Sequence, residues 1–204
     1  MTTRTRRSED FVDGLLGDAE KKHGARSRPD RCALSRKRLP RFGGRVTVRS
    51  GMRIYLDVCC LNRPFDKLDQ ERVRREAEAV KGIMLRIGRG VWHGVRSTVA
   101  DVEIGQIPDT DRLIEVGLMA GDLKEVVVPD DTDLARALEF RGMGFGAADS
   151  LHLACAESAK VDVFLTTDDA LLRMASRFSG RLTIKVENPA TWFKKVMCDE
   201  DPHA

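Results

Sequence analysis

The chain has 204 residues, 42% of them apolar, which is enough for one domain with a substantial core and short for two. No apolar run approaches the roughly 18 residues that cross a bilayer, and the basic N-terminus lacks the apolar segment of a secretory signal. With five cysteines in no framework spacing (Cys32, Cys59, Cys60, Cys155 and Cys198), this composition predicts a cytoplasmic protein without membrane association. The net charge of +3 is unevenly divided: residues 1–50 carry 14 Lys/Arg against 6 Asp/Glu, and the remainder 21 against 26.

Residues 1–51 are rich in Arg, Gly, Ser and Pro, and "GARSRPDR" and "SRKRLPRFGGR" show no sustained apolar period. They read as a disordered basic extension, either a solvated appendage or a source of salt-sensitive affinity for nucleic-acid phosphates, with Met52 an alternative native start. Residues 52–197 form the expected domain and 198–204 a short tail. Arg53 to Asp57 is a buried strand. A helix follows over 69–87, with Val73, Ala77, Val80, Met84 and Ile87 on one stripe. A strand ends at Ser97, helices span 98–107 and 109–120, and "KEVVVP" is a strand. Helices over 131–141 and 147–159 flank the glycines of "RGMGFG"; then come the strand "VDVFLTT", the helix "DDALLRMASRF" and a last strand in "LTIKVENP". This alternation predicts an α/β fold, a three-layer α/β/α sandwich around a parallel sheet, with ligands at the carboxyl ends of strands.

Four acids fall where that topology opens its cleft. Asp57 stands at the end of the first strand, where an unpaired buried carboxylate costs several kcal/mol unless it is paired or holds a metal. Glu103 lies in the helix after the second strand, Asp149 in the first turn of the helix at Ala147, and Asp168 after "VFLTT". Taken singly, Asp149 and Asp168 also suit first-turn or capping acids, and Glu103 a surface acid. His152 borders the stripe Ala148, Leu151, Cys155 and Ala159 and reads as a packed histidine bonded to backbone; the Cys59–Cys60 pair reads as core packing.

Two carboxylates about 5 Å apart repel by roughly 3 kcal/mol at an effective dielectric near 20. Four acids in one pocket therefore persist when divalent cations neutralise them, and oxygen-only ligation points to Mg²⁺ or Mn²⁺. Such a cluster suits phosphodiester hydrolysis with water as the nucleophile. Zinc is disfavoured because His23, His93, His152 and His203 are scattered. There is no phosphate-binding Gly-Lys-Ser/Thr loop and no nucleophile elbow.

The segments "IYLD" with Asp57, "STVADVE" with Glu103, "AADSLHLACA" with Asp149, "FLTTDDALL" with Thr166 and Asp168, and "IKVENPATWF" carry a family resemblance. Together they resemble the PIN-domain nucleases, many of which are ribonuclease toxins of VapC-type toxin–antitoxin pairs. The resemblance covers roughly residues 52–197. It implies a PIN-like fold and a Mg²⁺- or Mn²⁺-dependent endoribonuclease, with Asp57, Glu103, Asp149 and Asp168 as catalytic metal ligands. Thr166 is then expected to hydrogen-bond to one of the acids or to a water on the metal. Expected partners are an RNA substrate, a small antitoxin protein and, as a homodimer, a second copy of the chain. The rival expectation is a PIN-fold module that binds RNA or protein with little or no catalysis. Many relatives follow the first Asp with Thr or Ser and then Asn. Here Val58 and Cys59 follow it, Asn62 is the nearest amide and is expected to support the site, and Arg63 is expected to pack over Asp66, the alternative being a phosphate contact.

Overall fold

The computed structural model describes residues 6–23 and 51–200. Five strands, β1 (Arg53–Leu56), β2 (His93–Ser97), β3 (Glu125–Val127), β4 (Val163–Leu165) and β5 (Lys185–Glu187), form one all-parallel sheet in the order β3-β2-β1-β4-β5. The α/β class and its parallel sheet are as expected. Because β1 is paired on both edges, Ile54, Tyr55 and Leu56 are all fully buried. Strand side chains alternate between faces. Ile54, Leu56, Val163 and Leu165 accordingly enter one core, and Tyr55, Val95 and Phe164 the other.

The first core is covered by α3 (Glu71–Gly88), α5 (Thr110–Gly121) and α9 (Pro189–Glu200). On α3 the expected stripe is realised at Ala77, Val80, Met84 and Ile87, whereas Val73 is half-buried and Glu76, unforeseen, is buried. Trp92 packs edge-on against Trp192 of α9 at 5.2 Å between ring centroids. Gly94 of β2 lies so close to this layer that a Cβ would stand 2.4 Å from Leu123 Cδ2. A larger residue there would force the core apart.

The second core is covered by α6 (Asp131–Gly142), α7 (Ala147–Ser158) and α8 (Asp169–Arg177). Helix α7 is buried on nearly every side between the sheet and its neighbours. Two further helices are short or unforeseen: α2 (Val58–Asn62) and α4 (Thr98–Ile104) lie just beyond β1 and β2, with a 3₁₀ turn over Arg63–Phe65. Five residues carry too few turns to show a helical period, which is why α2 was not anticipated.

The expectation of a structureless extension fails for residues 6–23. They form helix α1 (Arg6–His23), whose Val12, Leu16 and Ala19 share one face and are buried against α6 and α7. Burying such side chains contributes about 1.5–3 kcal/mol each for the larger ones, enough to hold a helix that composition alone did not reveal. Asp13 of α1 also pairs with Arg141 of α6. The Arg-rich stretch 24–50 and residues 201–204 lie outside the described residues. The C-terminal tail expected from residue 198 begins instead as the last turn of α9. Among the described residues, no helix is long and apolar enough to cross a membrane.

Candidate metal centre

Strand order places the turning point of the sheet at β1, with β2 on one side and β4 on the other. In open parallel sheets this arrangement leaves a crevice beyond the carboxyl ends of the strands at that point. Here it is a cleft of about 920 Å³ lined by Asp57, Cys59, Asn62, Glu103 and Asp168 among others.

Asp57 is reached directly from β1. Its N–H donates to Leu165 O at 3.1 Å, the last rung to β4, and its carbonyl accepts from Cys60 and Leu61 to begin α2. At this N-cap position an Asp side chain ordinarily accepts helix N–H groups. That of Asp57 makes no such bond. Its Oδ2 instead accepts the Thr166 hydroxyl at 2.8 Å and the Cys59 thiol at 3.0 Å. Asp168 behaves differently: its Oδ1 accepts the N–H groups of Ala170 and Leu171, so it caps α8 while also lining the cleft.

Thr166 links these two acids, since its Oγ1 also accepts the Asp168 N–H at 3.1 Å. Cys59 completes the arrangement: its sulfur lies 3.1 Å from Thr166 Oγ1 and accepts the Thr167 N–H at 3.2 Å. Core packing thus describes Cys60, which is fully buried with its thiol donating to Leu165 O, and in part Cys59, which packs against the same core and also lines the cleft. Burial pushes the Cys60 thiol well above its ordinary range. Asn62 lines the cleft too, but its amide donates to Val58 O at 3.0 Å and so closes the single turn of α2. As expected, Arg63 bonds Asp66, at 3.0 Å.

Glu103, on α4, is 8% exposed and turns toward α7, where His152 Nε2 stands 3.4 Å from Glu103 Oε2. One ligand atom each from Asp57, Glu103 and His152 lie within 4.8 Å of one another. Ligands on one octahedral ion at about 2.1 Å stand roughly 3 Å apart, so two carboxylates and an imidazole at this spacing could hold a metal. No protein-family model matches the chain, and no curated protein matches it. The site must therefore be read from its own chemistry.

Of the four acids singled out in the sequence, Asp57 and Glu103 belong to this group, and Asp168 lines the cleft with them. Asp149 is half-buried in the first turn of α7, its Oδ2 close against Gly146. His152 is the member that sequence reasoning set aside. It is indeed packed, with no exposed surface, and its Nδ1 lies 2.7 Å from Tyr55 Oη. The available signal was its position three residues after Asp149, on the same side of the helix.

The cleft wall carries Arg63, Lys67, Arg72, Arg112 and Arg173. Three of these are engaged by carboxylates: Arg63 by Asp66 and Glu76, Arg72 by Glu76 and Asp169, and Arg112 by Asp66. Lys67 and Arg173 are exposed and make no ion pair within 4 Å among the described residues.

Proposed function

We propose that the protein is a metal-dependent nuclease, a PIN-like endoribonuclease that hydrolyses RNA phosphodiesters with Mg²⁺ or Mn²⁺. The observation that carries this reading is the meeting of Asp57, Glu103 and His152 at the switch point of the sheet, beside a cleft that also carries the exposed Lys67 and Arg173. A divalent cation at that point supplies an acidified water and offsets charge on a phosphate. Asp57 and Glu103 hold it, and the Thr166 hydroxyl and Cys59 thiol orient Asp57.

Asp168 keeps Oδ1 for capping α8 and lines the same cleft, where its other oxygen would accept from a water on the metal. Asp149 is assigned to that outer set from the opening turn of α7. Lys67 and Arg173 take phosphates flanking the scissile one, which favours a strand over a mononucleotide. The Val58–Cys59 pair, in place of the hydroxyl and amide usual in the resembled family, favours a second reading: RNA binding with little or no turnover.

The test is cleavage of a mixed RNA pool by the full chain with Mn²⁺, Mg²⁺ or EDTA, beside the Asp57→Ala variant. Cleavage that needs the metal and Asp57 supports the nuclease. Binding without cleavage selects the second reading, and neither binding nor cleavage rejects both.

A further inference from the structure

Behind the cleft, a chain of hydroxyl groups runs along the face of the sheet that α7 covers, from Ser97 to His152. Ser97 closes β2 and Tyr55 sits in β1; Ser97 Oγ lies 2.6 Å from Tyr55 Oη, which lies 2.7 Å from His152 Nδ1. All three side chains are fully buried. A tyrosine phenol carries its proton at neutral pH, and its oxygen can accept one hydrogen bond and donate one.

Resting on the metal reading above, we propose that Tyr55 and Ser97 are positioning residues that present His152 Nε2 as a nitrogen ligand, making the centre selective for Mn²⁺ over Mg²⁺. In the ligating form, His152 Nδ1–H donates to Tyr55 Oη, the Tyr55 hydroxyl donates to Ser97 Oγ, and the Nε2 lone pair points toward Glu103 and Asp57. The imidazole stays neutral, so one ring proton changes position and none is gained or lost. A ring nitrogen that donates to a fixed partner sets the tautomer of a metal-bound histidine. Mg²⁺ strongly prefers oxygen ligands, whereas Mn²⁺ accepts an imidazole beside carboxylates.

The competing arrangement reverses every donor: Tyr55 donates to Nδ1, and His152 Nε2–H donates to Glu103. His152 would then stay outside the coordination shell. The two differ in a spectroscopic signature. Pulsed electron paramagnetic resonance of the full chain loaded with Mn²⁺ is expected to show coupling to an imidazole ¹⁴N, which His152→Gln removes. Tyr55→Phe, which keeps the ring and deletes the hydroxyl, is expected to weaken Mn²⁺ binding about 10–100-fold and Mg²⁺ binding much less.

Bound Mn²⁺ without nitrogen coupling, but lost in Asp57→Ala, overturns this proposal and leaves the metal centre standing. Equal losses for both ions in Tyr55→Phe overturn the selectivity. No Mn²⁺ binding by the unaltered chain removes both the proposal and the reading beneath it. The nitrogen coupling is read on the unaltered chain, so it decides the ligand assignment even if a variant fails to fold.

Discussion

Glu76 and Asp57 are both almost fully buried acids lining one cleft, 1% and 2% exposed. Their surroundings differ in kind. Glu76 lies between guanidinium groups, with Arg63 Nε at 2.9 Å from one oxygen and Arg72 Nε at 2.8 Å from the other, and Asn188 adds an amide at 2.7 Å. Its charge is balanced by the fold, and it ties the turn after α2, helix α3 and the junction before α9 to one point. Asp57 accepts instead from a neutral hydroxyl and a neutral thiol, and Glu103 faces an imidazole. Those contacts orient the carboxylates toward the position we assign to a bound cation. A buried acid among arginines is thus part of the frame; a buried acid among orienting donors is part of a site.

Mutations should separate the two kinds of acid. The largest effect is expected for Asp57→Ala: metal-dependent RNA cleavage should fall about a thousandfold, roughly 4 kcal/mol of activation free energy, as measured by initial rates. Chemical denaturation without metal should show that variant no less stable than the unaltered chain by more than about 1 kcal/mol, the Thr166 bond being partly offset by relieved repulsion. Glu76→Gln should do the reverse. It removes the buried charge that Arg63 and Arg72 share, leaving them only Asp66 and Asp169, and should lower stability by about 3 kcal/mol, read as a shift in denaturant midpoint with or without metal. If Glu76→Gln were silent and Asp57→Ala unfolded the protein, the contrast between frame and site would be lost.

Smaller effects sharpen the contrast. Thr166→Val deletes the hydroxyl that holds Asp57 Oδ2 and should weaken Mn²⁺ affinity about 10–100-fold in a titration. At the rim, the hydrogen bonds and charge of Arg72 hold the Asp169 carboxyl below its ordinary range, but both side chains are 51% exposed. Because the folded value is the lower one, the pair's contribution is fully present above the ordinary carboxylate range. It fades as pH falls through the lowered folded value. Asp169→Asn should therefore cost less than about 1 kcal/mol at neutral pH and nothing in strong acid or high salt, as measured by thermal melts across that range.

Much of the fold was legible because its signals are local. The aliphatic run ending at Asp57, the heptad-like stripe on α3 and the capping acid Asp168 before α8 each mark one element. The site was legible only in part. Asp57 stood out because a charged group ended an apolar run, and Glu103 through its segment "STVADVE". His152, Tyr55 and Ser97 are ordinary core residues in the sequence, and only the parallel pairing of β1 with β2 and the seat of α7 bring their polar atoms together. The cleft contacts of Cys59 were missed because adjacency hides that a helix start sends the two side chains in different directions. Helix α1 was masked because its apolar residues stand among charged residues and glycines within an extension that is basic as a whole.

The most direct test of the central claim is calorimetric titration of the full chain with Mn²⁺, beside Glu103→Gln. The account predicts a saturable site in the unaltered chain that is lost or strongly weakened when Glu103 loses its charge. Absence of binding, or binding indifferent to Glu103, would mean that the buried Asp57–Glu103–His152 group holds no cation.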